Sequence, residues 1–394
     1  MSTTITPRPA DDAGPPVGDL VVSVVIPCLN EEENIVAVVT QAREALADAQ
    51  IRGEVIVADN NSEDRSAELA TQAGARVVHV PRRGYGSAYL GGFEAAQGRY
   101  IVMGDADLTY DFHEIPNFVR ELDDGADLVM GNRMNNIQPG AMPWLHRYVG
   151  NPLLSGFLNA LFRTGVRDAH CGMRAVRRSA LPAMDLRTPG MEFASEMVIR
   201  ASKANLDIRE FDIQYHPRGG ESKLSTWRDG WRHLRFLLVH SPTHLFLVPG
   251  LLLLALGAAI MGTVLLGIDV FGRDWSVHSL IAGSLATIVG VQVISLGLCA
   301  HAYGMYFMSD VDPWFDRMRA RYRLEHGLAI GGALTLVGLI VAGVIVVRWA
   351  ADDFGALAQT DLAIAAVTLM VIGLQIVFSS FLLSIIGLRR GQTR

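Results

Sequence analysis

The C-terminal part of the chain contains four long runs of apolar residues, and these runs limit the fold more than any other feature. They cover about residues 245–268, 277–307, 328–347 and 362–388. A helix needs about 20 mainly apolar residues to cross the hydrocarbon layer of a bilayer, so each run is long enough. Buried helices of a large soluble fold are the alternative, but four such runs in succession are rare in soluble cores. The sequence therefore predicts a membrane domain over residues 244–394.

The rest of the chain reads as a soluble domain behind a short leader. Its first 240 residues or so mix charged and apolar positions, although the whole chain is 50% hydrophobic and only 19% charged. Residues 1–19 carry Pro, Gly and Asp without the apolar stretch of a signal peptide, which predicts a disordered leader. A net charge of -6 without a sustained basic face gives no reason to expect a nucleic-acid partner. The three scattered cysteines fit neither a disulfide framework nor a metal-site spacing.

Basic residues in the short loops between the apolar runs predict the orientation in the membrane. The connection after the second run is rich in arginine and the chain ends in "LRRGQTR", whereas the other two connections contain only Arg273 and Arg348. Arginine and lysine are enriched in loops on the cytoplasmic side of a membrane. We therefore expect an integral protein of the cell (plasma) membrane with its N-terminal domain and its C-terminus in the cytosol.

Residues 224–243, just before the first run, have the pattern of an amphipathic helix. Apolar positions recur at helical spacing with arginines on another side: Trp227, Trp231, Leu234 and Leu238, against Arg228, Arg232 and Arg235. A helix in the headgroup layer has this composition, with tryptophan at the interface and arginine toward lipid phosphates. The prediction is an interfacial helix, and the alternative is a cytosolic helix packed on the N-terminal domain.

Residues 20–223 alternate short β-branched stretches with helical ones, which predicts a largely parallel sheet between helices. The first four predicted strands are "LVVSVVIP", "GEVIVAD", "ARVVHV" and "RYIVMGD". They are followed by "PCLNEEEN", "DNNSED", "PRRGYGSA" and "DADLTYD". Any one of these segments could be an ordinary turn. Because ligands of such sheets bind outside the carboxyl ends of the strands, four polar segments at one edge predict a binding site.

The glycine-rich stretch and the acidic pair narrow the chemistry of that site. "RRGYGSAYLGG" has neither the spacing of a P-loop nor that of a dinucleotide-binding turn, which disfavours an NTPase and a dehydrogenase, although Arg82 and Arg83 remain candidates for contacting a diphosphate. Asp105 and Asp107 stand one residue apart after a strand, where they repel each other unless a cation lies between them. Mg²⁺ and Mn²⁺ accept such hard oxygen ligands together with phosphates and water. The alternative is two solvated loop acids.

Four motifs together resemble glycosyltransferase family 2: "VSVVIPCLNEEENI", "VIVADNNSED", "RRGYGSAYLGGFEAAQGRYIVMGDADL" and "GNRM". The resemblance is strongest to polyprenyl-phosphate glycosyltransferases of the dolichol-phosphate mannose and glucose synthase type, and it covers about Val21 to Lys223. It implies an α/β GT-A (Rossmann-like) catalytic domain over residues 20–223, followed by the interfacial amphipathic helix and four transmembrane helices. It also implies inverting transfer of a hexose from UDP-glucose or GDP-mannose to a polyprenyl monophosphate.

The resemblance further implies which residues form the site. The nucleotide sugar would be bound by Pro27, Leu29, Glu31, Asp59, Asn61, Arg83 and Asp105. The divalent metal, Mg²⁺ or Mn²⁺, would be held by Asp105, Asp107 and Thr109. The acceptor phosphate would be bound by Arg133, Arg147, Asn151, Arg218, Ser222 and Lys223. Catalysis would rest on Asp105, Asp107, Arg133 and Arg218, without a strong general base because the acceptor phosphate is already anionic.

Two other functions remain compatible with a glycosyltransferase domain joined to membrane helices. A processive polysaccharide synthase usually carries a Q-x-x-R-W sequence, which is absent from this chain. A non-catalytic membrane scaffold would not need the acidic pair and the arginines. Glu192 and Glu196, one helical turn apart, would either orient the sugar or lie on a helix face. The sequence leaves the donor open and is compatible with a homo-oligomer.

Overall fold

The computed structural model describes residues 20–219, 226–269, 275–307, 315, 317–318, 321, 323–355 and 359–388. The chain divides into two compact units, one ending at Leu237 and the other beginning at Leu238. The N-terminal unit is α/β and the C-terminal unit is helical. The predicted leader, residues 1–19, lies outside the described residues.

A seven-stranded sheet forms the centre of the N-terminal unit. Its strands are β1 Val22–Cys28, β2 Gly53–Asp59, β3 Arg76–His79, β4 Tyr100–Met103, β5 Leu128–Asn132, β6 Arg174–Arg177 and β7 Ile208–Asp212. The strand order is β3-β2-β1-β4-β6-β5-β7. Neighbours are parallel except at β6, which runs antiparallel to β4 and to β5. The predicted GT-A (Rossmann-like) class, with its largely parallel sheet, is confirmed.

Helices cover both faces of this sheet, which explains why β1 is apolar almost throughout. They are α1 Ile35–Asp48, α2 Ser66–Gln72, α3 Tyr85–Ala95, α4 Ile115–Asp123, α5 Asn151–Phe162, α6 Leu181–Met184, α7 Phe193–Lys203 and α8 Thr226–Val239. Apolar residues of α1, α2 and α4 pack into one core layer. Those of α3, α5, α6 and α7 pack into the other. The carboxyl ends of β1, β2 and β3 coincide, because Cys28 pairs with Asp59 and Asp59 with His79.

Helix α8 lies where the amphipathic helix is predicted, and one of its faces packs on the N-terminal unit. Leu237 is fully buried in the same core layer as α7, and His233 is buried as well. Trp231 remains 63% exposed. The alternative of a helix packed on the N-terminal domain therefore holds for the face with His233 and Leu237. Residence of the exposed face in the headgroup layer stays a prediction.

In the described part of the C-terminal unit, four helices are long and apolar enough to cross a membrane, as predicted. They are α9 Val248–Leu265, which a π-helical turn over Thr243–Leu247 precedes, α10 Val277–Phe307, α11 Leu324–Ala351 and α12 Thr360–Leu388. Glycine allows α9 to approach α10 closely, and α11 to approach α12. A Cβ at Gly257 would lie 2.5 Å from the backbone nitrogen of Thr287, and a Cβ at Gly373 would lie 2.7 Å from that of Thr335. The terminal arginines and Arg273 of the orientation argument lie outside the described residues.

Candidate active site

Hydrogen bonds join the loops that follow β1 and β2. The backbone nitrogen of Asn30 donates to Ser62 Oγ at 3.1 Å, and that of Glu31 donates to Ser66 Oγ at 2.8 Å. In return, the Asn30 side chain accepts from the backbone nitrogen of Glu63 at 2.8 Å. Asn30 adopts a left-handed conformation, with φ of 54°, which asparagine tolerates better than most residues. The two loops therefore form one wall at the carboxyl edge of the sheet.

The buried side chain of Asn60 joins the β2 loop to the loop after β3. Its amide donates to the carbonyl oxygens of Val80 at 3.0 Å and Arg82 at 2.8 Å, and its oxygen accepts from the backbone nitrogen of Gly84 at 2.7 Å. This contact fixes the glycine turn that begins α3. Arg83, a predicted diphosphate ligand, points outward to an exposed ion pair with Glu63 at 3.2 Å.

The predicted nucleobase residues lie along this wall. Asp59 is nearly buried, with one carboxylate oxygen accepting from the backbone nitrogen of Ser62 and the other 3.0 Å from His79 Nδ1. The remaining members of the set stand at the ends of β1 and β2: Pro27 and Glu31 are half-buried, while Leu29 and Asn61 are exposed. The structure thus brings these residues to one edge, and their contact with a base stays a prediction.

Asp105 is half-buried immediately after β4. Tyr85 donates its hydroxyl to Asp105 Oδ1 at 2.9 Å, and the hydroxyl of Tyr89 lies 3.4 Å from the same oxygen. Burial, and then the charge of Asp107, raise the pKa of Asp105 to about 6. Space beside this carboxylate is tight, since a Cβ at Gly172 would stand 2.5 Å from Asp105 Oδ2.

Asp107 is held by its own turn and faces an arginine. Leu108 is left-handed, with φ of 61°, and the turn lets Thr109 donate its hydroxyl to Asp107 Oδ1 at 2.5 Å. Arg218 Nε lies 3.4 Å from Asp107 Oδ2, an ionic contact without hydrogen-bond geometry. Thr109 therefore orients Asp107 in this structure, and its predicted role as a metal ligand stays untested.

The segment that carries Arg218 is attached to the acidic loop through its backbone. The backbone nitrogens of His216 and Gly219 donate to the carbonyl oxygens of Thr109 and Asp107 at 3.0 and 2.9 Å. On its other side, Gly219 accepts from the Asn34 amide at 3.1 Å. Position 218 is thereby fixed over the acidic pair. The two other predicted phosphate ligands of this segment, Ser222 and Lys223, lie outside the described residues.

Arg133 forms a buried ion pair rather than an open phosphate site. Its guanidinium donates to both oxygens of Asp168, at 2.8 and 2.9 Å, and lies over the ring of Tyr215 at 5.1 Å. Its remaining terminal nitrogen points to the Tyr110 hydroxyl at 3.3 Å. Although burial opposes the charge, Arg133 holds the pKa of Asp168 below its ordinary value. This geometry favours a positioning role for Arg133, and direct contact with phosphate stays a prediction.

The remaining candidates lie on two other segments. Arg147 belongs to a π-helical turn, His146–Gly150, with its guanidinium 5.3 Å from the ring of Tyr148. The Asn151 amide lies 3.4 Å from the Met142 sulfur. Glu196 accepts from the backbone nitrogens of Arg187 and Thr188, which favours the helix-face interpretation for this residue.

Several residues that shape the site are absent from the sequence-based predictions. Tyr85 and Tyr89 hold Asp105, Asn60 ties two loops together, and Asp168 neutralises Arg133. Arg174 is fully buried and donates to three backbone carbonyls, those of Cys171, Ala194 and Ala169. The charged positions in "RDAHCGMR" were the available signal for Asp168 and Arg174, but Arg133, which pairs with Asp168, and Ala194, which accepts from Arg174, are distant in sequence.

The donor set at the acidic pair fits a divalent cation. Asp107 is buried and Asp105 half-buried, and burial followed by the charge of Asp107 raises the pKa of Asp105. Among the described residues no group of three or more His, Cys, Asp or Glu side chains is placed to hold a metal. The protein would thus supply two carboxylates and leave the other positions to phosphate oxygens and water, a common arrangement for Mg²⁺.

Comparisons with known proteins identify the family of the chain. The family model described as glycosyl transferase family 2 matches residues 23–184, and that of the glycosyltransferase family 2 C-terminal transmembrane region matches residues 298–387. The chain is 44% identical to the low-salt glycan biosynthesis hexosyltransferase Agl6 of Haloferax volcanii, over 93% of this chain and 89% of that protein. It is 34% identical to the dolichyl-phosphate hexose transferase of the same organism, over 53% of this chain and 88% of that protein.

Among solved structures, the chain is similar to glucosyl-3-phosphoglycerate synthase from Mycobacterium tuberculosis in complex with Mn²⁺, UDP and phosphoglyceric acid. The identity is 26% and the TM-score 0.45, over 56% of this chain and 77% of that one. The likeness to Agl6, in contrast, extends through nearly the whole of both chains. On that evidence, together with the sheet and the four apolar helices, the chain belongs to glycosyltransferase family 2 and is a membrane-integral glycosyltransferase.

Proposed function

We propose that this protein transfers a hexose from a nucleotide diphosphate sugar to a polyprenyl monophosphate. The observation that carries the proposal is the Asp105–Asp107 pair, with Arg218 beside it, at the edge where the β1, β2 and β3 loops meet. The names of two relatives support the acceptor and the sugar class, since one is a hexosyltransferase and the other a dolichyl-phosphate hexose transferase. UDP-glucose and GDP-mannose are the two candidate donors.

The wall formed by the β1 and β2 loops would bind the nucleoside. Asp59 is fixed from two sides and offers a carboxylate to base N–H groups, while Leu29 offers an exposed apolar surface. The glycine turn before α3 and Arg83 stand where the diphosphate would follow. Asp105 would lie on the sugar side of the diphosphate and Asp107 on the metal side.

Asp105 and Asp107 would hold Mg²⁺ or Mn²⁺, which when bound supplies Lewis-acid stabilisation of the leaving diphosphate. The acceptor phosphate oxygen attacks the anomeric carbon in line, the bond to the diphosphate oxygen breaks, and the configuration inverts. No strong base is needed, because the attacking oxygen is already anionic. Arg218 stands where it can balance the charge of the phosphates, and Arg133 holds the surrounding loops through Asp168.

The acceptor would approach along the segments that carry Arg147, Asn151 and Arg218. Ser222 and Lys223 continue the last of these segments. Arginine presents a planar fork to phosphate oxygens, which suits recognition of a lipid phosphate. The arginine-rich connection between α10 and α11 supports a cytosolic position for the catalytic unit at the cell membrane. A homo-oligomer is compatible with this arrangement.

The proposed reaction is tested with membranes that contain the full-length protein, labelled UDP-glucose or GDP-mannose, and polyprenyl phosphate. We expect one donor to give a labelled lipid and EDTA to abolish the product. A polyprenyl alcohol in place of the phosphate is the matched control, because it lacks the nucleophile and should stay unlabelled. Absence of a labelled lipid with either donor would contradict the proposed reaction, and full activity in EDTA would contradict the metal.

The hydrogen bond from Tyr85 predicts a measurable effect on metal binding. Tyr85→Phe removes a donor to a charged carboxylate, so the half-saturating Mn²⁺ concentration for nucleoside diphosphate binding should rise about tenfold.

Protons compete with metal for Asp105, whose pKa is raised to about 6. The half-saturating Mn²⁺ concentration of the unchanged protein should therefore also rise as the pH falls through that value. Fluorescence titration of the full-length protein measures both effects.

Tyr100→Phe is the matched control for Tyr85→Phe. Tyr100 also donates to an aspartate, Asp123 at 2.6 Å, but it does so away from the acidic pair. We expect unchanged Mn²⁺ dependence in this variant. An equal rise of the half-saturating Mn²⁺ concentration in both variants would contradict a role of Tyr85 in metal binding.

A further inference from the structure

Two buried polar atoms near the glycine turn before α3 have no hydrogen-bond partner among the described residues. They are Oε2 of Glu192 and Oγ of Ser87. Most buried polar side-chain atoms in proteins are hydrogen-bonded, because burial without a partner leaves the lost contact with water uncompensated. An unpartnered atom of this kind is therefore a candidate for contact with a bound molecule.

The two atoms lie in one region of the catalytic unit, because the chain just before α7 packs on the N-terminal end of α3. The backbone nitrogen of Ser87 donates to the carbonyl oxygen of Pro189 at 3.1 Å. A Cβ at Gly86 would lie 3.1 Å from the carbonyl oxygen of Gly190, and a Cβ at Gly190 would collide with Glu192 Oε2. The Glu192 carboxylate thus covers the segment that touches the beginning of α3.

This region adjoins the acidic pair. Tyr85 and Tyr89 of α3 reach Asp105 with their hydroxyls, at 2.9 and 3.4 Å. The ring of Tyr89 stacks on that of Phe193, the first residue of α7, with ring centroids 5.6 Å apart. In the proposed function, Asp105 lies on the sugar side of the diphosphate. The hexose of the donor would then lie beside the N-terminal ends of α3 and α7, where the two unpartnered atoms are.

The local structure of α7 does not account for the position of the Glu192 carboxylate. Glu192 is the N-cap residue of α7, but its side chain accepts no hydrogen bond from the backbone of the helix. Glu196 instead holds the preceding chain by accepting from the backbone nitrogens of Arg187 and Thr188. The N-terminal ends of helices carry partial positive charge, which favours a negative group nearby. The carboxylate of Glu192 is thus stabilised in place with an oxygen free to accept.

The chemistry of the two atoms indicates which part of the donor they bind. An ionised carboxylate only accepts hydrogen bonds, whereas a serine hydroxyl both donates and accepts. A phosphate would be repelled by the carboxylate. A divalent metal would need more oxygen ligands than one carboxylate and one hydroxyl. A sugar ring presents several hydroxyls, each of which donates and accepts, so it matches both atoms.

We propose that Glu192 and Ser87 form a subsite for the hydroxyls of the donor hexose. Glu192 Oε2 accepts from one sugar hydroxyl, and Ser87 Oγ exchanges a hydrogen bond with the same sugar. The subsite binds the hexose and not the nucleoside diphosphate, so it orients the anomeric carbon toward the acceptor. This inference rests on the proposed function and adds residues that bind the sugar itself.

Binding of nucleotide sugars and of the matching nucleoside diphosphates by the full-length protein tests the subsite. The probes are UDP-glucose with UDP, and GDP-mannose with GDP, in detergent with Mn²⁺. Glu192→Met keeps the length of the side chain but removes its acceptors. We expect the Kd of the nucleotide sugar that binds more tightly to rise about tenfold, while the Kd of its nucleoside diphosphate changes less than about twofold. Ser87→Ala should raise the Kd of the nucleotide sugar about threefold.

Thermal unfolding without ligand separates binding from a structural role of Glu192. Removing a buried acceptor that has no partner within the protein should leave the Tm of Glu192→Met unchanged or slightly higher. A structural role predicts a lower Tm. A lower Tm together with an unchanged ratio of the two Kd values would therefore overturn the proposal.

Glu94→Met is the matched control, because Glu94 is an exposed glutamate at the other end of α3. We expect no change in either Kd. If Glu192→Met raised both Kd values equally, or neither, the subsite would be wrong even though the donor binds. If the wild-type protein bound neither nucleoside diphosphate, the proposed function itself would be contradicted, and the subsite with it.

Discussion

Asp107→Asn is expected to lower the rate of sugar transfer about a thousandfold, which corresponds to about 4 kcal/mol of transition-state stabilisation. Asn keeps the shape of the side chain and an acceptor for the Thr109 hydroxyl, but it removes the negative charge that faces Arg218 and would hold the cation. The substitution should therefore reduce kcat strongly while the fold is maintained. The measurement is initial-rate transfer in membranes across a range of Mg²⁺ and Mn²⁺ concentrations.

Asp111→Asn is the matched control on the same loop. Asp111 is partly exposed and caps the helical turn after it through Oδ1, an acceptor that asparagine retains. We expect less than a twofold change in rate. If Asp107→Asn retained both the wild-type rate and the wild-type dependence on metal concentration, Asp107 would have no part in metal binding.

Asp168→Ala is expected to lower the free energy of unfolding by about 3–5 kcal/mol, because it leaves the buried charge of Arg133 without a partner. The pair is almost fully buried, and Asp168 accepts from both the side chain and the backbone nitrogen of Arg133. No comparable acceptor replaces it in the variant. Thermal unfolding of the detergent-solubilised chain, followed by tryptophan fluorescence, should show a transition lower by roughly 10 °C.

Arg167→Gln tests whether burial is the reason for that loss. Arg167 is the neighbouring residue and forms an ion pair with Glu210, but its side chain is 62% exposed. Exposed pairs contribute about 0–1 kcal/mol, so the transition should move little. Replacing both Arg133 and Asp168 by leucine should recover part of the stability without recovering activity. If Asp168→Ala and Arg167→Gln lowered the free energy of unfolding equally, the buried pair would contribute no more to stability than the exposed pair.

The strands β1 to β4 could be predicted because their sequences are short, β-branched and followed by turn residues. In a parallel sheet these features also fix which ends meet, so the shared edge was predictable. The insertion of β6, antiparallel between β4 and β5, was not. Its four residues "RAVR" look polar at both ends, and their pairing joins residues far apart in the chain. Only long-range packing selects that position.

In the candidate site, too, some residues could be predicted from local sequence and others depend on contacts between distant segments. The position of Asp105 and Asp107 together at the end of β4 was predictable, because it depends on local sequence alone. Tyr85 was not, since its contact with Asp105 joins α3 to the end of β4. The sequence predicts Arg133 as a phosphate ligand. In the folded chain Arg133 instead forms a buried ion pair with Asp168. A guanidinium suits either role, and its surroundings decide between them.

The sequence by itself determined that the chain has an α/β unit with acids at a strand end and four membrane-length helices. Those properties follow from the length of the apolar runs and from the spacing of residues along the chain, both of which are local features of the sequence. The tertiary structure decided which arginine faces Asp107, which tyrosines hold Asp105, and that one carboxylate oxygen of Glu192 is buried without a partner among the described residues. These depend on contacts between distant segments, because burial and charge pairing exist only once the chain has folded.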